Sequence, residues 1–202
     1  MPNVDLCFRV VGTEIPADHG YLLYAAIARV VPAFHSDAGV GVHPISGRLA
    51  GNRRLTLTDR SVLAIRLDSD RIGAALPLTG RRLDLGGCGL SVGVPEVRPL
   101  IASPAVRSRL VTIKLGDVNG HAAVTVESFS AAARRKLDEL GVSPAVSLTL
   151  GKRRTLRIKD KEVVGYEVIV EGLSAAESIA VQERGLGGRR LMGCGVFVPA
   201  NR

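Results

Sequence analysis

Tryptophan is absent from this 202-residue chain, which holds only four phenylalanines and three tyrosines. Stacking many bases on aromatic rings is therefore not the expected mode of any nucleic-acid recognition. Cysteine is scarce. Cys7, Cys88 and Cys194 are far apart and form no Cys-x-x-Cys pair, which argues against a disulfide framework or a zinc site and reads as buried thiols. No apolar run of about 18 residues occurs, and MPNVDLCFRV leads straight into strand-like alternation. Neither a membrane span nor a signal peptide is expected, and the expected location is the cytoplasm. Carboxylates do not cluster with histidine at any metal-ligand spacing, so neither a metal nor another cofactor is expected.

What is present is positive charge, a net +8 with a pI near 10.0, which points to a polyanionic partner. With 46% hydrophobic residues the chain can pack a core, as one large domain or two of about 100 residues each.

Val4, Leu6, Phe8 and Val10 alternate with Asp5, Cys7 and Arg9, which predicts a strand. Asp18 can cap a helix striped by Leu22, Leu23, Ala26, Ile27, Val30 and Val31, with Tyr21, Tyr24, Ala28 and Arg29 on its other side. Pro32 ends that helix, and Phe34-His35-Ser36-Asp37 begins a loop. Residues 39–47, 54–58 and 62–68 read as short strands, 70–78 as a weaker helix and 83–97 as a strand region. Pro95, Pro99 and Pro104 mark a domain boundary. The order then repeats. A strand at 109–114 precedes a helix striped by Phe129, Ala132, Ala133, Leu137 and Leu140 and closed by Gly141; a hairpin of 146–158 and 163–171 turns across 159–162. Ser174 and Glu177 form a capping box opening a helix over 175–184, and 195–199 is the last strand. The predicted fold is α+β, two tandem ferredoxin-like β-α-β-β-α-β domains over 1–100 and 105–202.

Charge concentrates in two stretches of the second half. In GKRRTLRIKDK, Lys152, Arg153, Arg154, Arg157, Lys159 and Lys161 stand against one acid. Alternation places Arg153, Thr155, Arg157 and Lys159 on one strand face and Leu156 and Ile158 on the other, a strip suited to phosphates. In ERGLGGRRLMGCGVFVP, Gly185, Gly187, Gly188, Gly193 and Gly195 interleave with Arg184, Arg189 and Arg190. Glycines permit positive φ and close backbone approach, and exposed amides beside guanidinium groups can hold a phosphodiester. Two nucleotide loops are excluded. The sixth place from Gly185 is Arg190, which breaks the dinucleotide register, and no Gly-Lys-Ser/Thr follows. A helix also precedes this loop, and a helix C-terminus does not attract phosphate.

Four histidines are available for acid–base work. His19 reads as a surface or helix-start residue, His121 lies in the loop-like NGHA, and His43, before Pro44 in a strand, reads as structural more readily than catalytic. His35 lies just past the first helix, beside Ser36 and on the side of Tyr24 and Arg29. Spacing alone does not separate it from solvated loop histidines.

The segments PADHGYLLYAAIARVVPAFH, GVGVHPISGR, RRTLRIKDKEVVGYEV and GLGGRRLMGCGVF, spanning nearly the whole chain, resemble the CRISPR repeat-processing endoribonucleases of the RAMP superfamily, in the branch from myxococcal-type systems. The resemblance implies metal-independent cleavage of precursor CRISPR RNA within each repeat. A ribose 2′-hydroxyl attacks the adjacent phosphorus, giving a 2′,3′-cyclic phosphate and a 5′-hydroxyl. By position, His35 matches the family histidine acting as general base or acid; Tyr24, Arg29 and His43 are candidate assistants. Repeat RNA is the implied partner, and other CRISPR effector subunits are compatible with the resemblance. Two alternatives stay open: a non-catalytic RNA-binding subunit of the same superfamily, and a small-molecule or phosphate-binding enzyme.

Overall fold

The computed structural model describes residues 1–114 and 125–200, and the chain forms two compact units. The first comprises 1–100 together with 156–161 and 191–193; the second holds 101–155, 162–190 and the chain from Cys194 onward.

In chain order the first unit contains β1 (Asn3–Val11), β2 (Glu14–Pro16), α1 (Gly20–Val30), β3 (Gly41–Val42), β4 (Arg48–Ala50), β5 (Arg54–Thr56), β6 (Val62–Asp68), α2 (Ile72–Ala75), β7 (Arg82–Asp84) and β8 (Gly89–Pro99). Its main sheet runs β3-β6-β1-β8-β7, and β2, β5 and β4 form a small separate sheet. Leaving β7 aside as an added edge, the order is second, third, first, fourth, the ferredoxin-like arrangement. The core follows from alternation. Leu6 and Phe8 on β1 lie opposite Ile65 and Leu63 on β6, all buried with Leu23 and Ile27 of α1. Each large apolar side chain buried this way contributes about 1.5–3 kcal/mol.

Four expectations change here. The helix expected over 70–78 is broken into a 3-10 turn Ser69–Arg71, α2 and a second 3-10 turn Leu76–Leu78, because Pro77 supplies no backbone donor. The single strand region at 83–97 is a hairpin of β7 and β8. Its turn is set by Asp84, whose Oδ1 accepts from the Gly87 amide at 2.8 Å, and by positive φ at Gly86 and Gly87. The strand at 39–47 shrinks to Gly41–Val42, with Pro44 following. The proline-punctuated segment is strand as far as Pro99, β8 continuing through Pro95 opposite Phe8 at a register shift, and the two units divide within that segment, between Leu100 and Ile101.

The second unit contains β9 (Ala105–Val111), α3 (Val126–Glu139), β10 (Ser147–Ile158), β11 (Lys161–Glu171), α4 (Ala175–Arg184) and β12 (Val198–Pro199). The far end of the β10–β11 hairpin belongs to the first unit. Strand order is β10-β11-β9-β12, again second, third, first, fourth, so the chain is a tandem of ferredoxin-like folds. The first strand begins and ends earlier than the sequence predicts, and the last is only Val198–Pro199. α3 buries Phe129, Ala132, Ala133 and Leu137, and Gly141 follows at φ 79°. The hairpin turns over two residues, with Lys159 at φ 53°. α4 carries the expected capping box of Ser174 and Glu177. Glu177 also accepts from the Ser143 amide at 2.7 Å. Its Ser174 hydroxyl contact and the Ser143 and Ser174 amides together hold its carboxyl down to about 2.

Candidate active site

α1 buries Leu23, Ala26 and Ile27, spaced three and four residues apart, so Tyr24 sits at the edge of the buried stripe. Pro32 stops the helix and opens a 3-10 turn, Pro32–Phe34. Phe34 is 1% exposed and anchors that turn in the core. His35, the next residue, is consequently turned outward and exposed. The Tyr24 hydroxyl donates to the His35 carbonyl at 2.8 Å and lies 3.1 Å from His35 Nδ1.

A phenol has one proton. With that proton on the carbonyl, the hydroxyl can only accept from Nδ1, so the neutral imidazole carries its proton on Nδ1 and its lone pair on Nε2. Tyr24 thereby presents Nε2 as the basic nitrogen. On the far side of His35 the loop is fastened by Asp37, whose carboxylate accepts from the Arg71 guanidinium and from the Gly39 amide at 2.9 Å. The Arg71 hydrogen bond holds the Asp37 carboxyl below the usual carboxylate range. Arg71 carried no motif in the sequence, because its pairing with Asp37 joins loops 34 residues apart.

The remaining candidates are placed differently. Arg29 lies exposed in the last turn of α1. His43 follows β3 and its Nε2 lies 3.1 Å from Asp5 Oδ1. Asp5 faces Arg66 directly across β1 and β6, and Arg66 donates to both carboxylate oxygens at 2.8 Å. Burial alone would raise the Asp5 pKa, but the hydrogen bonds from His43 and Arg66 outweigh it and hold the carboxyl well below the carboxylate range. Arg66 is 0% exposed. Asp5 falls on the face of β1 opposite its apolar residues, and Arg66 is 61 residues away on β6, so no local signal in the sequence joins them.

His19 is not a surface residue. It is the N-cap of α1 by position, 1% exposed, with Nδ1 2.9 Å from the Pro16 carbonyl and Nε2 accepting from the Ile45 amide at 2.9 Å. Asp18, expected as the cap, instead accepts from the Arg157 amide at 2.9 Å. His121 lies outside the described residues.

On the hairpin Lys152, Arg153, Arg157, Lys159 and Lys161 are exposed. Arg154 is half-buried, 3.8 Å from Glu167. The glycine stretch is more inward than the sequence suggests. The amides of Leu186 and Gly195 bond to the carbonyls of Gly195 and Leu110, and that of Gly188 to Thr112. A Cβ on Gly187 would strike the Thr112 carbonyl, and one on Gly195 the Leu186 carbonyl, both from positive φ. These glycines therefore let the loop lie against β9 and its own backbone, and three of the amides that might face an anion are taken by carbonyls. Arg190 is half-buried and its Nη2 donates to the Glu183 carbonyl at 2.6 Å, satisfying a carbonyl in the last turn of α4. Gly193, counted with the first unit, packs beside Pro44. Arg184 and Arg189 are exposed.

Among the described residues no group of three or more His, Cys, Asp or Glu is placed to hold a metal ion, and no helix is long and apolar enough to cross a membrane.

Residues 4–202 match the model of the Cas6 CRISPR family. The CRISPR-associated endonuclease Cas6 of Myxococcus xanthus strain DK1622 is 41% identical over 202 residues, covering 100% of this chain and 84% of that relative. Among solved structures, a RAMP protein binding different RNA substrates superposes with a TM-score of 0.69 at 15% identity, over 98% of this chain and 99% of the other. A Cas6-related protein from Pyrococcus furiosus gives a TM-score of 0.64 at 16% identity, over 99% and 100%. At such identities the superpositions speak for the fold, while the match along the sequence speaks for descent: this chain belongs to the Cas6 family of CRISPR proteins.

Proposed function

We propose that this chain is an endoribonuclease that binds CRISPR repeat RNA and cuts it without a metal ion. The observation that carries the reading is the pair of Tyr24 hydrogen bonds to His35, at Nδ1 and at the carbonyl. They leave Nε2 of an exposed histidine as a base that RNA can reach.

In the reaction the ribose 2′-oxygen forms a bond to the adjacent phosphorus while its proton passes to a base. The phosphorus–O5′ bond breaks and O5′ takes up a proton, leaving a 2′,3′-cyclic phosphate and a 5′-hydroxyl. His35 Nε2 has the chemistry for one of these transfers, a contribution of about 10²- to 10⁴-fold. Arg29 is our candidate for the charge that develops on the phosphate. His43, held by Asp5, is assigned to fastening the chain after β3 to β1. We assign the chemistry to residues 1–100 and the holding of RNA largely to 105–202, through Lys152, Arg153, Arg157, Lys159, Lys161, Arg184 and Arg189. Such phosphate contacts position RNA without reading its sequence. The cytoplasm is the compartment this substrate implies.

The test is incubation with labelled repeat RNA in EDTA, with and without a 2′-deoxy nucleotide at the cut. Cleavage that only the deoxy substitution blocks supports the proposal. Tight binding with no cleavage would identify a non-catalytic RNA-binding member of the superfamily.

A further inference from the structure

On the first unit, outside the Tyr24–His35 pair, lies a cavity of about 500 Å³ whose walls come from the β1–β2 turn, β5, β7 and the start of β8. Its charged lining is Arg54, Arg82 and Glu14, two guanidinium groups against one carboxylate. Arg54 is half-buried and held from two sides: Nη1 donates to Cys88 Sγ at 2.7 Å, and Nε is 4.0 Å from Glu14. Arg82 lies across Gly89, where a Cβ would come within 2.5 Å of its Nη2. The absence of that carbon is what lets the guanidinium reach the wall. Thr13 and Ser91 add hydroxyls. Such a volume suits one nucleotide, and planar guanidinium groups suit its phosphate.

We propose that this cavity is a second RNA subsite, binding one nucleotide of a single-stranded segment through its phosphate at Arg54 and Arg82. The subsite rests on the reading of the chain as an RNA endonuclease. It has no part in proton transfer, so it contributes affinity and register and leaves the rate of the bound complex unchanged.

Cys88 supplies a local probe, being half-buried on the cavity wall while Cys7 and Cys194 are buried. Saturating repeat RNA is expected to slow iodoacetamide alkylation of Cys88, followed by mass spectrometry, several-fold. Independently, Arg54→Ala with Arg82→Ala is expected to weaken RNA binding about tenfold or more and to lower the salt slope by about 0.7, the value for one phosphate contact on a single strand. Its cleavage rate at saturating RNA stays at the wild-type value. Gly89→Ala, which displaces Arg82 without removing charge, gives a smaller loss of affinity. The charge-matched control is Arg60→Ala with Arg135→Ala, two exposed arginines elsewhere. Unchanged alkylation under saturating RNA, or equal losses in the cavity and control pairs, overturns the subsite while leaving the nuclease reading standing. Wild-type protein that binds no repeat RNA overturns both.

Discussion

The Tyr24 hydroxyl sits between two atoms of one residue, donating to the His35 carbonyl at 2.8 Å and lying 3.1 Å from its Nδ1. One phenol thus sets both the backbone and the ring of His35. Tyr24→Phe removes the acceptor for Nδ1–H and frees the ring to turn or change tautomer. Single-turnover cleavage at saturating RNA is expected to fall about tenfold, less than the roughly 10²- to 10⁴-fold loss expected for His35→Ala, with RNA affinity kept in both. Equal rates for Tyr24→Phe and wild type would remove the tautomer argument.

The loop beyond His35 is fastened by the Arg71–Asp37 ion pair. Arg71→Ala is expected to lower the cleavage rate by loosening His35 while changing stability by only about 0–1 kcal/mol, because the pair is partly exposed. Unfolding in urea together with single-turnover assays distinguishes this from general destabilisation.

Asp5 ties His43 and Arg66 together in an interior group. Its folded-state pKa is depressed relative to the unfolded chain. Its contribution to stability is therefore complete above the ordinary carboxylate range and is lost as pH falls through that range toward the depressed value. Asp5→Ala leaves a fully buried guanidinium without its carboxylate and is expected to destabilise by about 3–5 kcal/mol. Urea unfolding of wild type and variant from neutral to acid pH checks both statements, since the gap between them should narrow on acidification.

Two glycines of one loop are expected to differ. Gly195 has φ 66° and an added Cβ would strike the Leu186 carbonyl, so Gly195→Ala is expected to destabilise by several kcal/mol, on the order of the larger single-substitution effects. At Gly188 an added Cβ meets nothing within 4 Å, and Gly188→Ala is expected to fold normally. The arginines divide likewise. Arg190→Ala removes the donor to the Glu183 carbonyl and lowers the melting temperature; Arg189→Ala weakens RNA binding and flattens its salt dependence.

The elements most legible in the sequence were those whose signals are local. Ser174 and Glu177 marked the start of α4, and the apolar stripe of α3 and its closing Gly141 stand as read, because caps and helical periods depend on neighbours a few residues away. The two-fold repeat of β-α-β-β-α-β was legible for the same reason. What failed depended on partners distant in sequence. Nothing local in the sequence joins Arg66 to Asp5, 61 residues away on the neighbouring strand. The glycines of 185–195 carried a correct message of close backbone approach, but the surface approached is β9 and the loop's own backbone. His35 was singled out through the family resemblance, since its spacing after the first helix did not set it apart from a solvated loop histidine. Its tautomer was not legible, since that is decided by a hydroxyl 11 residues earlier.

The central claim is that His35 moves a proton in an attack by the RNA's own 2′-hydroxyl, and one experiment meets it directly. Wild type and His35→Ala are mixed at saturating concentration with repeat RNA in EDTA, using an all-ribose strand and one carrying a single 2′-deoxy nucleotide at the cut. The expected result is cleavage of the all-ribose strand by wild type alone, ending in a 2′,3′-cyclic phosphate, with both proteins binding both strands. Cleavage of the deoxy strand, or a wild-type rate from His35→Ala, would contradict it.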